Sequence, residues 1–187
     1  LQNCMIELNR LELMRQAQQL SILSHQDPLT GLANRRYLDE VLEIEWNRAM
    51  RHQTPITIMM IDIDYFKLYN DSLGHLQGDQ CLKRISILLS SISSRSDDLA
   101  ARYGGEEFLL LFAMTNQDQA LIQAQRLMEL VRNIGIIHPR SNVSKHVTVS
   151  VGVATTIPHL NDNLSEFIAQ ADRALYIAKS NGRNQYH

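Results

Sequence analysis

Apolar positions repeat along the chain with two different periods, and the places where the period changes predict the order of the elements. Continuous or alternating apolar runs predict strands at 56–64, 99–101, 108–114 and 146–154. Spacings of three and four residues elsewhere predict amphipathic helices. The resulting order is α, α, β, α, β, β, α, β, α, which predicts an α/β sandwich: a mixed sheet with helices packed over it.

The first predicted helix, residues 1–24, has no evident partner in the chain. Its apolar strip is narrow and consists of Leu1, Cys4, Leu8, Leu11, Met14, Ala17, Leu20 and Leu23. A coiled-coil seam and a helix packed on its own domain explain such a strip equally well. We therefore expect a helical linker at 1–24 and one domain at 25–187. Because the chain does not begin with methionine, we expect it to be a piece of a longer protein.

Composition narrows the class of protein. The chain has 187 residues, 44% of them apolar, which is enough for one domain with a real core. A net charge of −2 provides no basic field, so we expect no nucleic-acid binding and no membrane contact by this piece. Neither Cys4 nor Cys81 has metal-site spacing, which favours reduced thiols and a cytoplasmic location, although a parent protein could be membrane-anchored upstream.

The first strand ends in two carboxylates, Asp62 and Asp64, which alternation places on one face. A buried strand that delivers carboxylates to a crevice is a common way to build a metal site. With the backbone carbonyl of Ile63, these oxygens suit Mg²⁺, which takes one or two carboxylates and completes its shell with phosphate and water. The competing interpretation is that the aspartates are solubilising charges at a strand end.

The segment after this strand has the features of a nucleotide site. A turn into a helix at Tyr65–Phe66 would aim N–H groups at an anion, and Lys67 adds a positive charge. Asn70 offers a donor and an acceptor, and Asp79 offers the two acceptors that fit the edge of guanine. Without further context, however, the preferred interpretation of Asp79 is the N-cap of the amphipathic helix that follows it.

Two apolar runs joined by Gly104–Gly105 predict a β-hairpin with a tight primed turn at the two glycines. Glu106 and Glu107 would then follow on the strand and point to opposite faces of the sheet. Near the C-terminus, Lys179 and Arg183 either interact with the negative end of the last helix's dipole or bind a phosphate.

Six segments together resemble the GGDEF domain of the diguanylate cyclase family, with GGEEF in place of GGDEF. They are DPLTGLANRR (27–36), DIDYFKLYND (62–71), GHLQGD (74–79), RYGGEEF (102–108), VTVSVGVA (147–154) and ADRALYIAKSNGRN (171–184). They span nearly the whole domain in order. Tyr69 and Gln185 depart from the usual residues, and Tyr69 would crowd the base pocket slightly.

The resemblance implies a palm-like sheet of about five strands, related to class III nucleotide cyclases, and condensation of two GTP into cyclic di-GMP with release of two pyrophosphates. It also implies a pair of Mg²⁺ or Mn²⁺ ions in each active site and a homodimer formed through the domain and the N-terminal helix. On this resemblance, we expect the chain to be the C-terminal piece of a larger signalling protein. The alternative is a catalytically silent module that binds GTP or cyclic di-GMP as a sensor.

The resemblance further implies a role for each matching residue. Metal would be held by Asp62, the carbonyl of Ile63 and Glu106. Guanine would be read by Asn70 and Asp79, and the triphosphate held by Lys67, Lys179, Arg183 and the backbone of Tyr65 and Phe66. Catalysis would involve Gly104, Gly105, Glu106 and Glu107, with Glu106 helping to deprotonate the attacking 3′-hydroxyl. Product inhibition would use an RxxD site formed by Arg95, Asp98 and Arg126. Without the family's register, Arg95–Asp98 would be interpreted as a solvated loop.

Overall fold

The computed structural model describes residues 7, 10–12, 14, 15 and 25–187. The predicted linker helix and its seam fall mostly outside the described residues, so both stay predictions. The described residues of that stretch have helical backbone, and Leu11 and Met14 are exposed. No helix in the described part of the chain has the length and apolar character needed to cross a membrane.

From residue 35 onward, helices and strands follow one another almost as predicted. The helices are α1 Arg35–His52, α2 Phe66–Leu73, α3 His75–Ile92, α4 Gln117–Ile134 and α5 Leu164–Ser180. The strands are β1 Ile56–Ile63, β2 Leu99–Gly104, β3 Glu107–Ala113 and β4 Val149–Thr156. The sequence predicted one helix between β1 and β2, whereas the chain breaks at Gly74 and forms α2 and α3.

The four strands form one sheet in the order β2-β3-β1-β4, and every pair is antiparallel. Parallel bridges join Ala33 to Ala101 and Tyr186 to Val151, so short segments extend the sheet beyond its named strands. Strand β1 is central and almost wholly buried, as its continuous apolar run predicted. The predicted fold class is confirmed, although in the described residues the sheet has four antiparallel strands where a mixed sheet of about five was expected.

Helices cover both faces of the sheet. On one face, α1 and α5 pack against alternate residues of β1 and β3, among them Ile58, Met60 and Leu109. On the other face, α3 and α4 pack against the intervening positions, including Met59 and Ile61. Because side chains alternate along a strand, Asp62 continues the Ile58–Met60 face and lies on the side of α5.

Gly152 of β4 lets α5 approach the sheet closely. A Cβ added at this glycine would lie 2.1 Å from the backbone oxygen of Ala171 and 2.2 Å from the backbone nitrogen of Leu175. Any side chain at this position would therefore push α5 away from the sheet. The close contact brings the last turn of α5, which carries Lys179, to the end of β1 that carries Asp62.

Candidate active site

Four charged side chains converge where β1 ends. Asp62 lies directly opposite Glu107 of β3, so both side chains are on the same face of the sheet. The Nζ of Lys179 is 2.8 Å from Oδ2 of Asp62, in an ion pair whose aspartate is mostly buried and whose lysine is partly exposed. Glu106, in the adjacent turn, is close enough to act electrostatically on Asp62. The structure therefore brings together most of the predicted metal and catalytic residues.

The surroundings of Asp62 hold its pKa well above the usual value for an aspartate. Burial raises the pKa of Asp62 from 3.8 to about 6, although the Lys179 ammonium opposes this shift, and the nearby Glu106 and Glu107 carboxylates raise it further. Among the described residues, the three carboxylates lie near one paired ammonium group, that of Lys179, so the site carries an excess of negative charge. A crowded set of carboxylates of this kind is suited to a bound cation.

The hairpin turn lies one residue later than the sequence predicted. Strand β2 runs through Gly104 and β3 begins at Glu107, so the turn consists of Gly105 and Glu106 rather than the two glycines. A register shift between Arg102 and Gly104 accounts for the difference, since it adds one residue to β2. The prediction that Glu106 and Glu107 lie on opposite faces of one strand was wrong, because Glu106 is in the turn. At the tip, Gly105 has a φ of 51°, which glycine adopts readily.

Among the described residues, nothing requires position 104 to be a glycine. The φ of Gly104 is not positive, and a Cβ built on it would have no atom of the described residues within 4 Å. The space above Gly104 is open, and it lies beside Glu106 and Glu107. A residue without a side chain here leaves room for a ligand to approach the backbone.

A link that the sequence did not reveal holds this hairpin to the start of the domain. The Nε of Arg102 donates to the Gly105 carbonyl at 2.9 Å, and its Nη1 lies 3.2 Å from Oδ1 of Asp27. Although partial burial of Asp27 raises its pKa, hydrogen bonds from Thr30 and the Arg102 guanidinium lower it overall. Arg102 therefore links the DPLTG segment to the RYGG segment and fixes the position of the turn that carries Glu106.

Asp64 does not share the role of Asp62, although alternation puts them on one face. Its carboxylate is buried and accepts hydrogen bonds from the Thr148 hydroxyl and the Ser150 hydroxyl at 2.7 Å, and from the Asn184 backbone N–H at 3.1 Å. These donors come from β4, from its N-terminal flank and from the segment after α5. Asp64 is therefore a structural tie between the end of β1 and the C-terminal segment.

The turn after β1 leads directly into a helix, as predicted. Tyr65 has a φ of 56° and precedes the first residue of α2, Phe66. The Arg183 guanidinium carbon lies 4.5 Å from the centre of the Tyr65 ring, and Arg183 also contacts the Lys179 carbonyl at 3.5 Å. Lys67 is exposed on the first turn of α2. The predicted triphosphate residues thus surround one end of β1.

The predicted guanine residues lie on neighbouring helices. Asn70 of α2 has a buried Oδ1 with no hydrogen-bond partner among the described residues. A Cβ at Gly78 would lie 1.9 Å from that oxygen, so glycine is required there for the amide to keep its position. The interpretation of Asp79 as an N-cap was wrong, because α3 begins at His75 with Gly74 as its cap.

Tyr69 does not crowd this site as the sequence suggested. It is 4% exposed, belongs to the core between α2 and α3, and stacks on Phe66 with ring centres 6.0 Å apart. An additional aromatic residue at this position therefore fills the core rather than a base pocket.

The predicted inhibitory residues lie away from this cluster. In the loop before β2, two hydrogen bonds join Arg95 and Asp98. The Arg95 backbone N–H donates to Oδ2 of Asp98 at 3.3 Å, and the Asp98 backbone N–H donates to the Arg95 carbonyl at 3.1 Å. Asp98 Oδ1 is buried without a partner among the described residues, and burial raises the pKa of this carboxyl. Arg126 is exposed on α4, and in the described part of the chain no hydrogen bond or ion pair joins it to this loop. Instead, Arg48 of α1 pairs with Asp97 at 3.4 Å.

Comparisons with known proteins agree with these observations. Residues 24–185 match the family described as "Diguanylate cyclase, GGDEF domain". The chain is 38% identical over 168 residues to diguanylate cyclase DgcZ of Escherichia coli and 39% identical over 164 residues to the probable diguanylate cyclase DgcT of the same organism. These alignments cover 89% and 87% of this chain but 54% and 35% of the two relatives. The chain thus spans about half or about a third of their length.

A solved structure extends the similarity to the fold. The crystal structure of the coiled coil and GGDEF domain of DgcB from Caulobacter crescentus, in complex with c-di-GMP, is 30% identical to this chain with a TM-score of 0.82. That alignment covers 98% of this chain and 94% of the DgcB chain.

Proposed function

This chain belongs to the GGDEF domain family of diguanylate cyclases, and on that premise we propose that it condenses two molecules of GTP into cyclic di-GMP. In this reaction each 3′-oxygen attacks the α-phosphorus of the other GTP, and each α–β phosphoanhydride bond breaks. Two pyrophosphates leave, and the two 3′-hydroxyl protons pass to a base or to solvent.

One observation carries the proposal: the carboxylates of Asp62, Glu106 and Glu107 lie together at the end of β1, and among the described residues Lys179 is the one cation paired with Asp62. A structural role would favour neutralised or fully hydrogen-bonded carboxylates, as at Asp64. Phosphoryl transfer instead depends on positioning and on balancing the charge of phosphate groups. Carboxylates that hold cations, beside lysine and arginine side chains, supply both.

The donor set fits a hard divalent metal that also binds substrate. Within the described ranges, no group of three or more His, Cys, Asp or Glu side chains is placed to hold a metal ion, so the protein side chains alone do not supply the ligand set. Mg²⁺ takes one or two carboxylates and completes its coordination with phosphate and water. Asp62, Glu106 and the Ile63 carbonyl would hold Mg²⁺ or Mn²⁺, as a pair of ions in each site. When bound, such ions lower the pKa of the 3′-hydroxyl and neutralise charge on pyrophosphate.

The remaining residues bind and orient GTP. Asn70 and Asp79 would read the guanine edge, and the orphaned Asn70 Oδ1 supports this because a guanine donor would satisfy it. Lys67, Lys179 and Arg183 would hold the triphosphate together with the N–H groups of Tyr65 and Phe66. We assign to Glu106 the further role of accepting the 3′-hydroxyl proton, and to Glu107 that of adding negative charge beside Asp62.

The reaction requires two copies of the domain. One crevice presents one nucleotide, and a symmetric condensation needs a second nucleotide related to it by a two-fold axis. We therefore propose a homodimer formed through the domain, with residues 1–24 holding the pair as a coiled coil. Replacing Leu8 and Leu11 by Ala should then lower activity at limiting protein concentration, and unchanged activity and association would contradict this role.

We also propose that cyclic di-GMP inhibits the enzyme at Arg95, Asp98 and Arg126. The buried, unpartnered Asp98 Oδ1 beside an exposed arginine supports a site for a guanine edge and a phosphate. Arg95→Ala should weaken cyclic di-GMP binding about tenfold or more and leave the initial rate unchanged. Titration calorimetry with cyclic di-GMP measures this effect, and an unchanged affinity would remove Arg95 from the proposal.

The defining experiment incubates the purified chain with GTP and Mg²⁺ at several protein concentrations and resolves the nucleotides by chromatography. Glu106→Gln tests the site, and Glu40→Gln, on the exposed face of α1, is the matched control. We expect cyclic di-GMP from the wild type and the control only, with specific activity rising with concentration. GTP binding without product would favour the silent sensor module instead.

A further inference from the structure

His138 lies in the long connection between α4 and β4, and it carries no role in the function proposed above. The connection folds back on itself: His138 N–H donates to the Lys145 carbonyl at 2.9 Å, and Val147 N–H donates to the Ile136 carbonyl at 2.7 Å. The His138 side chain is only 2% exposed. Its sequence neighbourhood has no metal or catalytic spacing, so sequence patterns alone did not single it out.

The hydrogen bonds of the imidazole define its tautomer. Nδ1 lies 3.3 Å from the Arg140 backbone nitrogen, and Nε2 lies 3.1 Å from the Tyr65 carbonyl oxygen. A backbone N–H can only donate, so Nδ1 is the acceptor, and a carbonyl can only accept, so Nε2 carries the proton. His138 therefore donates a hydrogen bond to the backbone of Tyr65.

The peptide group that His138 holds is the one that opens α2. The Tyr65 carbonyl also accepts the N–H of Tyr69 at 3.0 Å, so both of its lone pairs are engaged. In a planar trans peptide, the carbonyl of Tyr65 and the N–H of Phe66 point in opposite directions. Fixing the carbonyl on His138 therefore fixes the direction of the Phe66 N–H, which points away from the imidazole.

Further contacts hold the Tyr65 ring and the His138 ring in place. The Arg183 guanidinium carbon lies 4.5 Å from the centre of the Tyr65 ring. The His138 ring meets the Tyr69 ring edge-on, with ring centres 5.3 Å apart. Tyr65 itself has a φ of 56°, a conformation that few non-glycine residues adopt without support. In the part of the chain that the structure describes, no side chain caps the N-terminus of α2. The direction of the Phe66 N–H thus depends on how the Tyr65 carbonyl is held. Among the described residues, His138 is the one side chain that donates a hydrogen bond to that carbonyl.

We propose that His138 is a positioning residue for the triphosphate of GTP: it anchors the Tyr65–Phe66 peptide so that the Phe66 N–H is aimed at the nucleotide phosphates. This inference rests on the function proposed above, in which that N–H binds triphosphate. A purely structural role for this buried histidine would predict something different. Its loss would then lower stability and would weaken triphosphate binding no more than it weakens cyclic di-GMP binding.

The test compares two substitutions of His138. His138→Phe keeps a ring of similar size against Tyr69 and removes the donor, whereas His138→Gln places an amide donor near the former Nε2. The exposed His146, in the same connection, supplies the control His146→Gln. The probe is a GTP analogue with a methylene group between its α- and β-phosphates, measured by calorimetry with Mg²⁺. Cyclic di-GMP affinity, at the inhibitory site proposed above, is measured on the same samples.

We expect His138→Phe to weaken binding of the analogue about tenfold, in line with loss of an oriented donor to a charged group. His138→Gln should recover most of that loss, and His146→Gln should match the wild type. Cyclic di-GMP affinity should be unchanged throughout. In turnover assays, the Phe substitution should raise KM for GTP more than it lowers kcat.

Three results would overturn the inference. The first is a folded His138→Phe variant that binds the analogue as the wild type does. The second is equal loss of analogue and cyclic di-GMP binding, which indicates a general structural effect. The third needs no variant: long-range ¹H–¹⁵N spectra of the wild type that show the proton on Nδ1 of His138. A wild-type chain that binds no triphosphate would instead overturn the proposed function, and this inference with it.

Discussion

Asp62 and Asp64 are two residues apart at the end of one strand, and their surroundings differ sharply. Asp64 is buried among three donors, two hydroxyls and a backbone N–H, that match its oxygens. Asp62 faces two other carboxylates and a single lysine, and its pKa is raised to about 6. The Asp64 carboxylate has its hydrogen bonds supplied by the chain itself, whereas the Asp62 carboxylate lies among other negative charges.

The difference indicates how a strand end can serve the fold and a ligand at once. Asp64 ties β4 and the segment after α5 to β1, which places Lys179 and Arg183 around the crevice. Asp62 keeps unbalanced negative charge in that crevice, at a cost to the stability of the ligand-free protein. Stability and activity should therefore respond in opposite ways to substitution at the two positions.

The largest effect that we expect is the loss of activity in Asp62→Asn. The amide cannot serve as an anionic metal ligand, so kcat/KM should fall about 10³- to 10⁴-fold, or roughly 4–5.5 kcal/mol of transition-state stabilisation. Initial rates of cyclic di-GMP formation measure this fall, with Asp71→Asn on the exposed face of α2 as the control. A variant within tenfold of the wild type would mean that Asp62 does not hold the metal.

The next largest effect concerns the stability of Asp64→Ala. Three buried donors would lose their acceptor, so the free energy of unfolding should fall by about 2–4 kcal/mol. Urea unfolding followed by circular dichroism measures it, with Asp71→Ala as the matched control. A fall below about 0.5 kcal/mol would show that Asp64 is not the tie we describe.

Sequence patterns predicted much of this region but missed the difference between Asp62 and Asp64. Alternation placed both aspartates on one face, and the apolar run made β1 central, because both depend on local periodicity. The sequence could not separate the roles of the two aspartates, since the donors to Asp64 lie 84, 86 and 120 residues further along the chain. Long-range pairing of this kind leaves no local signal.

The hairpin illustrates a second limit. Gly104–Gly105 correctly indicated a turn between β2 and β3, but the register shift at the end of β2 moved the turn to Gly105–Glu106. A bulge depends on how two strands pair, so composition at the turn does not reveal it. By contrast, a helix cap depends on local geometry: Asn34, of a residue type that favours the N-cap, accepts the Tyr37 N–H at the start of α1 at 3.0 Å.

A smaller effect should appear in the stability of Asp62→Asn without metal or nucleotide. The pKa of Asp62 rises from 3.8 to about 6 on folding, so its contribution is favourable at low pH and is lost as pH rises from about 4 to 6. Above that window, the neutral asparagine avoids the unfavourable charge. The variant should therefore be more stable than the wild type at pH 8, by about 1–2 kcal/mol, and equally stable near pH 4.

Thermal unfolding at both pH values, in the presence of a chelator, measures this difference. A variant that is less stable than the wild type at pH 8 would show that the Lys179 ion pair outweighs the carboxylate crowding. A gain that is independent of pH would point to a cause other than the ionisation of Asp62.

The smallest effect should come from Lys179→Met. Lys179 is partly exposed, so loss of its ion pair should change the free energy of unfolding by less than about 1 kcal/mol. The pKa of Asp62 should nevertheless rise above about 6, because the remaining influences on it all favour the protonated form. Carboxyl ¹³C chemical shifts followed through a pH titration measure that pKa, and Lys179→Arg, which keeps the charge, is the control. If the pKa stayed unchanged in Lys179→Met, the lysine would not be balancing Asp62, and the contrast between the two aspartates would depend on burial alone.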